Sequence, residues 1–350
     1  MREVKYLSPT SVAKFYDNRT EFYLQYLADN RPPRLPQTEP MSMGSAFDAY
    51  VKAYMFDKIF GSTDPKFEFE NIFEEQVEEQ NRTWARINGK YVFECYQKSG
   101  ALANLMIELQ DAMEAPRFEL KVEKRVTHES TVEGIPLLGK PDIFFVTKEG
   151  ARVILDWKVN GYCSHANTSP RKGYVWVSDG YGIESGYSPS NRNRIPHKDA
   201  QVMRINGMDI NVAEYLENIY EEWAAQLAMY AWILGEPVGG KFITGIDQIV
   251  ANGGKSQHYI YVNTNGLDID ITVPLLRIAA HRGRISDDWQ QTYFQKIRNC
   301  WGIIKSGHIF DDVSREESNQ RCEILDTYYL AFQDSDDPNE QWFKTATGRG

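Results

Sequence analysis

An α/β fold, with a central mixed sheet flanked by helices, is predicted by three features of the 350-residue chain. Apolar residues recur at helical spacing up to about residue 60, the period changes to two from about Phe118 to Val159, and helical spacing returns ahead of two further strand-like runs. Such alternation within one chain marks a sheet layered with helices. With 42% hydrophobic and 13% aromatic residues, the chain has the material for one domain spanning 1–350 around a sizeable core.

Taken in order, SPTSVAKFYDNRTEFYLQYL starts a helix, with Ser8 as N-cap, Pro9 in the first turn, and Val12, Phe15, Phe22, Tyr23, Tyr26 and Leu27 as its apolar stripe. The prolines of NRPPRLPQTEP make a loop, and MGSAFDAYVKAYMFDKIF is a second helix with Phe47, Tyr50, Val51 and Tyr54 on one face and Asp48 at the edge of that stripe. Residues 60–115 read as a polar helical insertion outside the sheet. FELKVEKRVTHEST, IPLLGKPDIFFVT and ARVILDWKV alternate as three strands of an antiparallel meander. Residues 160–212, rich in Gly, Ser, Asn and Tyr, form a loop long enough to act as a lid. VAEYLENIYEEWAAQLAMYAWILG is helical up to a stop at Gly235; FITGIDQIVA and SQHYIYVNT are strands; and a last helix runs through Trp289, Tyr293, Ile297, Trp301 and Ile304.

Charge and cysteine usage exclude several classes. The net charge of -10 argues against a protein that coats nucleic acid nonspecifically, because phosphate affinity comes from Lys and Arg. The charge is unevenly spread: the C-terminal segment 311–350 opens on a strongly acidic run, whereas 170–206 holds Arg171, Lys172, Arg192, Arg194, Lys198 and Arg204. Tyr174 and Trp176 interleave with these cations, a pattern suited to a DNA-contacting surface because aromatic faces stack on unpaired bases. Cys95, Cys163, Cys300 and Cys322 form no CxxC pair, so neither a zinc ribbon nor a disulfide framework is expected, and Cys163 with His165 and His197 lacks a second spaced pair for zinc. No run of eighteen apolar residues suggests a membrane span, and the N-terminus lacks the pattern of a secretory signal, so the expected location is the cytoplasm.

The chemistry concentrates in GKPDIFFVTKEGARVILDWK. A three-residue turn at Lys148-Glu149-Gly150, with Gly at the position needing positive φ, makes Asp142 and Asp156 equidistant from Glu149 and therefore directly opposite one another. Facing residues have Cβ atoms roughly 4.5–5.5 Å apart. Ile154, Asp156 and Lys158 share one face of their strand, and Leu155 and Trp157 the other. Two like charges so placed on a buried sheet raise a pKa unless a cation separates them, and Mg²⁺ binds characteristically through one or two carboxylates plus substrate phosphate.

Pro141-Asp142 followed by Asp156-Trp157-Lys158 resembles the PD-(D/E)XK nuclease signature, and the flanking segments resemble its RecB-like branch, which includes CRISPR-associated and phage recombination exonucleases. SVAKFYDNRTEFYLQYL is similar to that branch's first helix, MGSAFDAYV to its glycine-containing motif, and Gln226 with Tyr230 to its QxxxY helix. The resemblance implies a restriction-endonuclease-like core and metal-dependent DNA exonuclease activity in phage-type recombination or replication. It makes Asp142 and Asp156 metal ligands together with the Trp157 carbonyl, and Lys158 the group that orients water and meets the phosphorane charge. It implies Mg²⁺, with Mn²⁺ as a substitute, and DNA and a single-strand-annealing or other recombination protein as partners; it specifies no oligomeric state. Where the branch has histidine this chain has Asp48, expected as a third ligand through oxygen. Asn18 stands where iron-sulfur members carry their first cysteine, so no iron-sulfur cluster is expected. Two other readings stand beside this one: a noncatalytic nucleic-acid- or protein-binding member of the fold, and a site-specific endonuclease. Without the resemblance, Gln226 and Tyr230 are simple helix packing and Lys158 a solvated strand residue.

Overall fold

The computed structural model describes residues 2–29, 36–61, 65–110, 112, 117–118, 128–163, 201–205 and 208–306. Among these, seven strands form one sheet in the order β1 (Arg117–Phe118), β4 (Ile143–Val146), β5 (Arg152–Asn160), β8 (Ile243–Val262), β9 (Asp268–Arg284), β7 (Met208–Tyr215) and β6 (Gln201–Ile205). The sheet is mixed: β5 runs antiparallel to β4 and parallel to β8, and β9 runs antiparallel to β8 and parallel to β7. A separate two-stranded sheet joins β2 (His128–Val132) to β3 (Ile135–Gly139).

Helices cover both faces. On one, Phe144 and Ile154 of β4 and β5 and Ile246 of β8 pack with Phe15 of α1 (Pro9–Asp17), Trp223 and Leu227 of α7 (Glu221–Ile233) and Phe294 of α8 (Asp287–Ser306). On the other, Phe145, Val153, Leu155 and Trp157 pack with Phe47 and Val51 of α3 (Glu39–Phe60), Tyr96 of α5 (Arg82–Lys98) and Leu105 of α6 (Ala101–Gln110). Strict alternation along β4 and β5 sends neighbouring side chains into different cores. Each of these large apolar side chains contributes about 1.5–3 kcal/mol by leaving water. The 60–115 segment therefore does not stand apart from the sheet: α4 (Phe69–Gln76) flanks α3, and α5 and α6 roof one face of the sheet.

Several local expectations are revised. The first helix breaks at Asn18, which adopts an extended conformation and whose side chain accepts from the Glu21 amide, so that it ends α1 and caps α2 (Arg19–Phe22). An Asn side chain that bonds its own backbone competes with helix continuation. α1 itself starts as expected, with Ser8 and Ser11 bonding each other's amides in a reciprocal cap. IPLLGKPDIFFVT is two strands in two sheets: Pro141 has no N–H to give a ladder, and the chain leaves β3 and enters β4 around it. The long segment 160–212 ends in β6 and β7, and VAEY belongs to β7, where pairing with β9 overrides the helical propensity of Ala and Glu. The two runs at FITGIDQIVA and SQHYIYVNT are one strand, β8, whose register shifts between Ala251, paired with Leu276, and Ser256, paired with Pro274 of β9. β9 itself has no counterpart in the sequence reading.

Among the described residues no helix is long and apolar enough to cross a membrane. Arg171, Lys172, Tyr174, Trp176, Arg192, Arg194, Lys198, His165, His197 and the acidic segment 311–350 lie outside the described residues.

Candidate active site

The hairpin of β4 and β5 sets the geometry. Gly150 takes φ 80°, and Thr147 and Ala151 close the loop through the Thr147 N–H···Ala151 O bond of 2.8 Å. Ile143 then pairs with Leu155, and the next step outward places Asp142 across from Asp156. Asp142 Oδ2 accepts the Trp157 N–H at 3.0 Å. The N–H and C=O of one strand residue point to the same edge, so the Trp157 carbonyl also faces the Asp142 edge.

Asp156 is 3% exposed. Burial, and secondarily the Asp142 carboxyl, push its pKa up from the ordinary 3.8 to about 7, against the lowering effect of the Lys158 ammonium. Asp156 Oδ1 accepts from Gln226 Nε2 at 3.3 Å; Oδ2 is buried and lies in ionic contact with Lys158 Nζ. Gln226 is the hub: its Oε1 accepts from Lys158 Nζ at 2.8 Å and its Nε2 also donates to Tyr230 OH at 2.8 Å. α7 thus holds the lysine in place, its two residues four apart presenting one face.

Tyr230 in turn packs against Gly139, where a Cβ would stand 2.7 Å from its ring. This contact ties α7 to the segment leading into Pro141-Asp142. Gly139→Ala is expected to push the Tyr230 ring off β3 and displace Gln226, lowering turnover on the order of tenfold to hundredfold, the scale of a small misplacement. Steady-state cleavage rates beside a urea melt separate that loss from unfolding.

Behind Trp157 runs a second polar chain. Its indole Nε1 donates to Tyr96 OH at 3.2 Å, Tyr96 OH donates to Asp247 Oδ2 at 2.5 Å, and Arg282 Nη1 donates to Asp247 Oδ1 at 2.8 Å. Asp247 sits beside Trp157 in the parallel register of β5 and β8. Removing the hydroxyl leaves two buried groups without it, so Tyr96→Phe is expected to cost about 1–3 kcal/mol in urea unfolding. On the Lys158 face, a polar row continues through half-buried Asn160 to buried Gln248 and His281, whose imidazole is lowered to about 3 by burial and by Arg282 and is therefore neutral.

The third expected carboxylate is near but engaged. Lys52, four residues after Asp48 on α3, places Nζ 2.8 Å from Asp48 Oδ1 and 3.5 Å from Asp142 Oδ1, while Gln76 Nε2 donates to Asp48 Oδ2 at 3.1 Å. Lys52 escaped the sequence reading, although a lone cation inside an apolar helical stripe is itself a signal that it has buried partners. Among the described residues no three His, Cys, Asp or Glu side chains are grouped to hold a metal ion. Mg²⁺ does not need three: one or two carboxylates, water and substrate phosphate suffice. Asp142, Asp156 and the Trp157 edge fit such an ion, because two facing carboxylates, one of them buried, and a main-chain carbonyl are the hard oxygen donors that Mg²⁺ takes.

A mixed sheet layered by helices, with two facing carboxylates and a lysine two residues after the second, is consistent with an α/β core of the restriction-endonuclease-like class. Residues 6–170, which carry Asp48, Asp142, Asp156 and Lys158, match the family model of the PD-(D/E)XK nuclease superfamily, and that match supports the superfamily for this fold and site. No curated protein and no solved structure matches it. Gln226 and Tyr230 lie beyond the matched segment, and the structure carries them to it.

Proposed function

We propose that this protein is a Mg²⁺-dependent deoxyribonuclease that hydrolyses phosphodiester bonds of linear DNA from an end, in recombination or replication of the phage type, with Mn²⁺ as a working substitute. The observation that carries the reading is the Asp142–Asp156 pair joined to Lys158 through Gln226. Asp142, Asp156 and the Trp157 carbonyl would hold the ion, which supplies Lewis acidity at the phosphate and a lower pKa for attacking water.

The protein's own groups do the rest. Lys158, 24% exposed at its side chain, reaches solvent while its ammonium is aimed by Gln226, so it meets the charge that develops on the phosphorus oxygens. Gln226 is spent on Lys158, Asp156 and Tyr230, which makes it a positioning residue for the lysine. Tyr230, held on Gly139, fixes the distance between α7 and the Asp142 segment. The cation- and aromatic-rich segment 170–206 is proposed as the DNA-contacting surface. Action from an end, and a recombination partner such as a single-strand-annealing protein, rest on the resemblance to the RecB-like branch.

Linear and closed-circular duplexes with Mg²⁺ test the exonuclease reading. Shortening of the linear DNA with the circle left intact is the expected result; discrete fragments from the circle would assign a site-specific endonuclease instead.

A further inference from the structure

We infer that Lys52 is a built-in cation occupying the position between Asp48 and Asp142, so that this site takes a single divalent ion on the Asp142–Asp156 side and Asp48 anchors Lys52 instead of ligating metal. The inference rests on the metal-dependent reading proposed above and specifies the chain's own residues toward that ion.

The geometry leaves little room for another arrangement. Lys52 belongs to the middle of α3 and its side chain is 1% exposed, so it cannot reach out to a DNA backbone. Its neighbours in the helix, Val51 and Met55, are buried in the core, and a buried ammonium is tolerated only with charged or polar partners. It has them: Asp48 Oδ1 at 2.8 Å and Asp142 Oδ1 at 3.5 Å. A magnesium ion bridging those two carboxylates would need both oxygens at about 2.0–2.1 Å, in the gap that Nζ fills. Asp48 Oδ2 is turned to Gln76 Nε2, so Asp48 is held from both sides by groups of the protein.

The charge balance agrees. Three carboxylates, Asp48, Asp142 and Asp156, face two ammonium groups, Lys52 and Lys158, a net of one negative charge when all are ionised. One divalent ion already reverses that sign, and a second would stand beside two lysines with no free acid to offset it. Asp142 divides its oxygens accordingly, Oδ1 toward Lys52 and Oδ2 toward the Trp157 amide beside Asp156. Lys52 thereby fixes the orientation of the Asp142 carboxylate, and does so before any ion arrives.

The test is a Mn²⁺ titration of the full chain without DNA, reading free Mn²⁺ by electron paramagnetic resonance. The wild type is expected to bind one ion. Asp142→Asn and Asp156→Asn should each weaken it by at least about tenfold, the scale on which metal-site partners act, and Asp48→Asn by less than about threefold. Lys52→Met should tighten the ion or admit a second. Asp48 is only partly buried, so Asp48→Asn decides the matter even if Lys52→Met does not fold. Loss of binding in Asp48→Asn equal to that in Asp142→Asn, or two ions on the wild type, would overturn the role of Lys52 while leaving the metal site standing. Unchanged binding in both Asp142→Asn and Asp156→Asn would remove the metal site itself, and the inference with it.

Discussion

Asp156→Asn is expected to abolish metal-dependent cleavage and yet to leave the metal-free protein more stable than the wild type at pH 8. The carboxyl is 3% exposed and its pKa is raised to about 7, chiefly by burial. A raised carboxylate pKa means that the folded state binds its proton more readily than the unfolded chain, whose value is near 3.8. Stability from this group is therefore fully present at low pH, falls as pH rises through the window from about 3.8 to about 7, and is lowest above it. Asn keeps the shape and the oxygen that accepts from Gln226 but cannot ionise. Lys158 loses an ionic partner, retains Gln226 Oε1, and is exposed enough to be hydrated. The net gain at pH 8 is expected to be on the order of 1–3 kcal/mol, smaller at pH 5 and shrinking toward zero only below about pH 4. Urea unfolding with a chelator at both pH values reads it. A variant less stable than wild type at pH 8 would mean that Asp156 is a structural acid already satisfied by Lys158, with no unmet need for a metal.

Lys158→Met should separate chemistry from binding. The lysine is the one cation of the pair Lys52 and Lys158 that reaches solvent, and its Nζ is fixed by Gln226 at 2.8 Å. Removing a preorganised cation from the place where transition-state charge develops costs on the order of 10²–10³ in turnover. Affinity for Mn²⁺ should be kept or improved, since a positive charge next to Asp156 is gone. Turnover on labelled DNA and Mn²⁺ affinity, measured on the same preparation, give the two numbers. Equal loss in both would show that Lys158 supports the fold of the site and not the reaction. Gln226→Ala should follow Lys158→Met in direction with a smaller effect, because it frees the lysine without deleting it.

How much of this was legible beforehand depended on distance along the chain. The facing of Asp142 and Asp156 follows from one short turn with Gly150 at positive φ, so local spacing was sufficient. Gln226 and Tyr230 were legible as a pair because they are four apart on a helix, although nothing local says that they meet Lys158. Lys52 was not legible as the partner of Asp142: the contact joins α3 to β4 across ninety residues, and the helix pattern shows only an intruding charge. The same holds for the relay behind Trp157, assembled from α5, β8 and β9. β9 was overlooked because DIDITVPLLRIAAHRGR alternates only at its start and contains Pro274, which sits at the register shift of β8 where no ladder bond is required. The break between β3 and β4 carried a signal in Pro141, but the partner that makes β3 a strand of another sheet, β2, is set by pairing and not by pattern.

The most direct measurement is the degradation of end-labelled linear DNA by wild type and Asp156→Asn in parallel, with Mg²⁺, with Mn²⁺ and with chelator. The geometry of Asp142, Asp156 and Lys158 predicts cleavage by the wild type with either metal, none with chelator, and none by the variant under any condition. DNA left intact by the wild type with both metals, or degraded equally by the variant, would contradict the assignment of this site as a metal-dependent nuclease centre.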